Sequence, residues 1–219
     1  NPISLHMQLL SRAIDRGDAA KSRDTIAAVR QIVQHGSELL EMLRRFSRQS
    51  PESAAPEAVD LNRLAHEAVE LAKPRLGGRE AGSIEIREDF GSPPAVSVRP
   101  GEVVSALLNV IVNAIDAMPE GGTIVVRTEE ARGGALVDVV DDGPGMTPEV
   151  ASHIFESFFT TKGDAGTGLG LAMVRGCTER HGGAVSLDTA PGAGTTIGLW
   201  FPPARAGGLP VGARGVSNA

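Results

Sequence analysis

The stretch Val103-Val104-Ser105-Ala106-Leu107-Leu108-Asn109-Val110-Ile111-Val112-Asn113-Ala114-Ile115-Asp116-Ala117 decides how this chain is read. Leu107, Leu108, Ile111 and Ile115 recur at helical spacing and mark the inward face of a core helix. Asn109, Asn113 and Asp116 break that pattern at i, i+4 and i+7, which puts all three on one face. Polar groups left without partners on a buried helix cost about 1–3 kcal/mol each, so their alignment points to a shared polar guest. An oxygen-rich face with one carboxylate suits a hard cation such as Mg2+ bridging to phosphates.

Outward from this helix, the pattern alternates between strands and helices. Pro100 stands at the first helical turn, and Gly121-Gly122 lies beyond the end. Two strands are predicted over 123–129 and 135–140, joined by Arg132-Gly133-Gly134. A Gly-rich, poorly periodic stretch over 143–167 leads into a helix over 169–180. Strands over 184–187 and 195–201 follow, joined by Pro191-Gly192-Ala193-Gly194. Upstream, Asp60 is placed to cap a helix with Leu61, Leu64, Ala65, Ala68 and Ala72 inward. A strand over 83–90 comes next, closed by Pro93-Pro94. Hairpin strands interleaved with helices predict an α+β sandwich, not a doubly wound parallel sheet.

The first fifty residues read differently. Ile3, Met7, Leu10 and Ile14 repeat at helical spacing until Arg16-Gly17-Asp18 breaks the run. Over 21–49, Ile26, Val29, Val33, Gly36, Leu40 and Leu43 form a second stripe, widened by Ile32, Leu39 and Phe46 at a seven-residue period. One short partner helix cannot cover so broad a stripe, so pairing with a second copy into a four-helix bundle is expected. The alternative is a hairpin folded onto its own domain. Residues 51–58, with Pro51, Ser53 and Pro56, read as a linker, and 205–219 as a Gly-rich tail or further linker.

The 219 residues are 41% hydrophobic and 22% charged, enough for one good-sized core and a smaller module. A formal net charge of −6 argues against non-specific nucleic-acid binding. No apolar stretch reads as a membrane span and no secretory segment opens the chain, so no membrane contact is expected for this stretch. The single cysteine, Cys177, excludes an intramolecular disulfide and fits a reducing cytoplasm. Its apolar helical setting reads as core. A start at Asn1-Pro2 without a Met suggests a piece of a longer protein, whose anchorage is left open.

Three further segments carry chemistry. Asp141-Asp142-Gly143-Pro144-Gly145-Met146 follows directly on a strand, where an acid can accept from an exocyclic amine while backbone approaches a flat ring. Gly166-Thr167-Gly168-Leu169-Gly170-Leu171 opens a helix and can aim backbone N–H groups at phosphate. It matches neither the dinucleotide fingerprint nor the P-loop. Between them lies Ile154-Phe155-Glu156-Ser157-Phe158-Phe159-Thr160-Thr161-Lys162. Lys162 is one of only three lysines, with Lys21 and Lys73, and suits a mobile point charge over a γ-phosphate. Phe155, Phe158 and Phe159 are expected to anchor the base of this loop by packing.

Together these segments resemble the N, G1, F, G2 and G3 boxes of sensor histidine kinases, in order and spacing. The boxes are Asn109 to Asp116, Asp141-x-Gly143-x-Gly145, Phe155 to Lys162, Gly166 to Leu171 and Gly192-x-Gly194-Thr195-Thr196. The likeness covers roughly residues 59–203. Asp116-Ala117-Met118-Pro119-Glu120-Gly121-Gly122 and Phe158-Phe159-Thr160-Thr161-Lys162 are similar to the nitrogen-regulation branch. The resemblance implies a Bergerat-type ATP-binding sandwich over 59–204, preceded by a dimerisation and phosphotransfer hairpin over 1–50. By it, Asp141 reads the adenine amine with Thr195 supporting through water, and Asn113 holds Mg2+ with Asn109 and Asp116 assisting. Gly143 to Gly170 forms a lid over ATP. Within it Thr160, Thr161, Lys162, Gly166, Thr167, Gly168, Leu169 and Gly170, with Leu171 just beyond, contribute to the nucleotide site.

The resemblance further implies transfer of the γ-phosphoryl to a His and then to an Asp on the receiver domain of a response regulator, within a homodimer formed through the hairpin. Hydrolytic relatives carry a Glu four residues before the metal-binding Asn. Asn109 stands there and cannot act as a base, which favours kinase chemistry over an ATP-driven clamp. Asn1-Pro2 look like the last two members of His-Glu-x-x-Asn-Pro, placing the acceptor His just upstream. Asn1 is then a candidate for positioning water against a phospho-aspartate. His6, His35, His66, His153 and His181 do not fit the acceptor motif. A nucleotide-binding signalling module without phosphotransfer is the alternative.

Overall fold

The computed structural model describes Ile26 and residues 55–76, 83–163 and 166–204. Asn1, Pro2, His6, His35 and the expected hairpin stripe lie outside the described residues, where only Ile26 is seen, helical and exposed. The chain divides into two compact units, Asn1–Ala54 with Glu156–Leu169, and Ala55–Phe155 with Gly170–Ala219.

The second unit is the α+β sandwich that the pattern predicts. Its elements run β1 (Glu57–Val59), α1 (Leu61–Ala72), β2 (Ile84–Phe90), β3 (Val96–Val98) and α2 (Pro100–Ala117). Then come β4 (Gly122–Ala131), β5 (Gly134–Asp141), α3 (Pro148–His153), α4 (Gly170–Arg180), β6 (Ala184–Thr189) and β7 (Thr195–Phe201). Five strands form one mixed sheet in the order β2-β4-β5-β7-β6, and β1 pairs with β3 separately. Only β2 and β4 run parallel; the other neighbours are antiparallel.

Strand alternation decides which face of the sheet is covered. Ile124 and Val126 of β4, Val137 and Val139 of β5, and Ile197, Leu199 and Phe201 of β7 are all buried on one face. Leu61 and Leu64 of α1, Leu107, Ile111 and Ile115 of α2, and Val174 of α4 complete that core. Each fully buried Leu or Ile contributes roughly 1.5–3 kcal/mol relative to exposure. Asp60 caps α1 as expected, accepting from Asn62 N–H at 2.9 Å. Asn62 then ties α1 to the sheet, donating to Gly91 O at 3.0 Å and accepting from Thr128 Oγ1 at 2.5 Å.

Several features differ from the pattern reading. β1 takes Glu57 and Ala58 out of the stretch read as linker, and it and β3 are three residues each, too short for alternation to show. The β4–β5 turn uses only Arg132 (φ 53°) and Gly133 (φ 70°), because Gly134 already pairs with Ala131. Two successive positive φ values are those of a type I′ hairpin, whose twist matches the strands. The Gly-rich stretch contains α3, with Thr147 as N-cap, Pro148 in its first turn and Ile154 buried just beyond it. Among the described residues one helix, Pro100–Ala117, is long and apolar enough to cross a membrane by length and composition alone. Eight of its residues, Val103 to Ile115, are buried within the domain.

Candidate functional site

Strand parity brings an acid and two hydroxyls into one row. Asp141 ends β5 on the same face as Val137 and Val139, so it points to the helix side of the sheet. Thr195 lies opposite Asp141 in register, and Thr189 lies opposite Thr195. The hydroxyls of Thr189 and Thr195 are 3.1 Å apart. Asp141 and Thr195 are buried. Gly143 N–H donates to Asp141 Oδ1 at 3.0 Å. Burial pushes the Asp141 carboxyl above the usual carboxylate range, against the lowering effect of the Gly143 and Thr195 backbone N–H groups. The neighbouring Asp142 acts on the backbone instead. Its Oδ1 accepts from Thr123 N–H at 2.8 Å and ties the loop to β4.

The glycine loop after Asp141 is sewn to the β6–β7 turn. Met146 N–H donates to Thr189 Oγ1 at 3.0 Å, and Gly192 N–H to Pro144 O at 2.7 Å. Thr189 Oγ1 in turn donates to Gly194 O at 2.9 Å. Gly145 sits at φ 64°, and a Cβ there would run into the carbonyl oxygens of Ala190 and Gly194. Only glycine satisfies both constraints. A Cβ at Gly143 would lie 2.8 Å from Asp141 Oδ1 and 3.0 Å from Met118 Cγ. Met118, buried at the end of α2, therefore lies against this loop.

The polar trio of α2 is less buried than expected. Asn109 and Asn113 are half-buried and Asp116 is exposed, so the face is a wall open to water instead of a sealed polar patch. Among the described residues no buried side-chain nitrogen or oxygen lacks a partner. Position, not uncompensated burial, is what marks these side chains. The first residue of α4 lies beside Asn113, where a Cβ on Gly170 would stand 3.8 Å from Asn113 Nδ2. Leu171 is half-buried against the core. A helix N-terminus and an oxygen-bearing helix face are thereby juxtaposed, an arrangement suited to phosphate with a hard cation.

Glu156–Leu169 belongs to the other unit. Its ends are joined by Phe158 N–H donating to Gly168 O at 2.9 Å. Phe158 has φ 72° and is 74% exposed, so the expectation that all three phenylalanines anchor the loop does not hold for it. Phe155 and Phe159 are half-buried. Lys162 is exposed, its N–H donating to Thr160 Oγ1 at 3.1 Å, and Thr161 is exposed beside it. Gly166, Thr167, Gly168 and Leu169 are half-buried. Gly166 packs so closely on Thr160 that a Cβ there would meet its hydroxyl.

Two residues around the row carry signals that pattern reading misses. Thr189 continues the inward alternation of Val185 and Leu187, whereas the predicted strand stops at Leu187. Met118 sits inside the motif that ends α2, with no role assigned from sequence. His181, read as a helix-end residue, is buried. It accepts from Arg99 N–H on Nε2 at 3.0 Å and donates from Nδ1 to Cys177 O at 2.9 Å, fastening the end of α4 to the start of α2.

Cys177 conforms to its core reading. Burial first, and the charge of Glu102 second, push its thiol up to about 12. At pH 8 roughly one molecule in ten thousand then carries the thiolate. Alkylation by iodoacetamide at that pH is expected to be negligible in the native protein and rapid in denaturant. Prompt native labelling would contradict the placement of Cys177 in the core.

Residues 99–205 match the family described as histidine kinase-, DNA gyrase B-, and HSP90-like ATPase. The sensor histidine kinase ZraS of Escherichia coli K12 is 36% identical over 167 residues, covering 76% of this chain and 34% of ZraS. The chain thus spans about a third of the length of that relative. The solved mycobacterial sensor histidine kinase MprB is 31% identical, with a TM-score of 0.59 over 67% of this chain and 97% of MprB. Full-length ShkA in complex with AMPPNP is 31% identical, with a TM-score of 0.66 over 87% of this chain and 40% of ShkA.

Proposed function

This chain belongs to the sensor histidine kinases of that ATPase family, and we propose that its α+β unit binds ATP with Mg2+ for phosphoryl transfer to histidine. The single observation that carries the reading is the row Asp141–Thr195–Thr189, held at one end of the sheet by the glycine loop. A buried carboxylate with a backbone N–H already bound is a directed acceptor for one exocyclic amine. The absence of a side chain at Gly143, whose Cβ would crowd Asp141 Oδ1, leaves room for a planar base beside the carboxylate, while the bare Gly145 lets the loop close on the β6–β7 turn.

Asn113 would hold Mg2+, with Asn109 and Asp116 ordering the water and phosphate oxygens around it. The cation would neutralise charge on the phosphates during transfer. The N-terminus of α4, beginning at Gly170-Leu171, would receive phosphate oxygens on its free N–H groups. Thr160, Thr161 and Lys162 and the segment Gly166 to Leu169 would supply a mobile cover, with Lys162 as the point charge. Asn109 cannot take a proton from water, so the γ-phosphoryl is kept for a protein acceptor. These residues position and stabilise charge; the bond broken and formed belongs to ATP and its acceptor.

In the whole protein, the phosphoryl group would pass from histidine to an aspartate on the receiver domain of a response regulator. The kinase would act as a homodimer on the cytoplasmic side, where ATP is available. Binding is testable by thermal denaturation. ATP at a hundredfold over its Kd adds about 2.7 kcal/mol of stability if only the native state binds it. A melting curve indifferent to ATP and Mg2+ together would end this proposal.

Asn113→Ala separates the metal from the base. The variant is expected to keep nucleotide binding in EDTA and to lose most of the increment that Mg2+ adds, at least about tenfold in affinity, since even a partner that only orients a ligand is worth that much. Titration of ATP with and without Mg2+ measures both. An intact Mg2+ increment in the variant would move the metal to another residue.

A further inference from the structure

A second cluster lies apart from every residue assigned above. His66 and Glu70 stand one turn apart on α1, and Glu88 of β2 reaches the same point. One ligand atom from each lies within 4.8 Å of the other two. We propose that His66, Glu70 and Glu88 form a surface site for a divalent transition-metal cation of the zinc class.

The chemistry of the donors is mixed: one imidazole nitrogen and two carboxylates. Such a set suits Zn2+, Co2+ or Mn2+, whereas soft Cu+ needs thiolate or thioether ligands. Two of the three donors already stand close to the spacing an ion needs, and the third, on Glu70, lies within 4.8 Å of both. His66 Nδ1 lies 2.9 and 3.1 Å from the two carboxylate oxygens of Glu88. Tetrahedral ligands at about 2.0–2.1 Å from zinc stand about 3.3 Å apart, so the pair need open by only a few tenths of an ångström. Water would complete the coordination, because all three residues face solvent.

The frame is rigid on both sides. Leu64, Ala65, Ala68 and Val69 bury the opposite face of α1, each at most 1% exposed. Glu88 belongs to a strand that is in register with β4 along its whole length. One competitor is present: Lys73 pairs with Glu70, and both side chains are about half exposed. An exposed pair of this kind is weakly held, so a divalent cation can displace it.

The test is a calorimetric titration of the full chain with ZnCl2, without nucleotide and in a buffer that does not bind zinc. One binding step is expected to weaken at least tenfold in His66→Ala and in Glu88→Gln, and to tighten a few-fold in Lys73→Gln. His153→Ala, exposed on α3, should leave it unchanged. Melting without metal checks that each variant folds, and ATP binding to His66→Ala should match the parent. With Co2+ as the probe, a visible absorption band should appear and vanish in His66→Ala. Zinc binding that survives both His66→Ala and Glu88→Gln, or no binding by the parent chain, overturns the proposal. Neither result bears on the nucleotide site, which shares no residue with this one.

Discussion

Asp141→Asn is expected to weaken ATP binding by roughly a hundredfold while leaving the domain folded. A hydrogen bond to a charged acceptor is worth about 1.5–3 kcal/mol, and an unpaired buried donor adds a comparable penalty. The geometry makes this small substitution severe. Gly143 N–H already donates to Asp141 Oδ1. An asparagine must keep its oxygen there, which turns its NH2 toward the adenine amine and sets donor against donor. GTP offers a 6-oxo acceptor at that point and should lose far less, so the ratio of ATP to GTP affinity collapses.

The same substitution carries a pH signature. Burial raises the Asp141 pKa, so the folded state holds this proton more tightly than the unfolded chain. Protonation therefore favours folding: this contribution is fully present below the ordinary carboxylate value, is lost as pH rises through the raised one, and is flat above. Asp138 is raised by burial as well, with the same sign, but is common to both proteins. The difference between parent and Asp141→Asn isolates Asp141. Without nucleotide the variant should melt no lower than the parent at neutral pH, and its advantage should vanish in acid. A normal ATP-to-GTP ratio in a folded variant would remove Asp141 from the adenine site.

Phe201→Ala should have the largest effect on stability. Phe201 ends β7 fully buried, with its ring edge-on to His181 at 6.3 Å between centroids. Removing it leaves a cavity between the sheet and the end of α4, at a cost of about 3–5 kcal/mol. For a domain of this size that is a fall in Tm on the order of 10 °C. Leu71→Ala on the 53% exposed side of α1 is the matched control and should stay within about 0.5 kcal/mol. Equal losses in the two variants would mean that the helical layer does not pack on Phe201.

How much of the fold is legible in the sequence follows from the range of the interactions involved. The stripe on α1, its Asp60 cap, the Pro100 start of α2 and the span of β7 can all be read directly. Each depends on residues within a few positions of one another, through the periods 3.6 and 2. The order of the five boxes is legible only through their resemblance to those of sensor histidine kinases, not through any period. β1 and β3 are not, because a three-residue strand forms only when its distant partner is present. α3 is masked by the glycines around it, although Thr147-Pro148 is a start signal.

The candidate site divides along the same line. Sequence alone determined which chemistries were available: an acid at a strand end, amides on a helix face, glycines where side chains cannot fit, and a cysteine with no work to do. Tertiary structure decided what those groups face. The register of β5 against β7 and of β7 against β6 lines up Asp141, Thr195 and Thr189. It also leaves Asn109, Asn113 and Asp116 on an open wall instead of in the core. Local spacing says which side of its own element a residue occupies. Only the pairing of β5 with β7, far apart in the chain, says what stands on that side of Asp141, because such contacts form when the whole core closes and no local period encodes them.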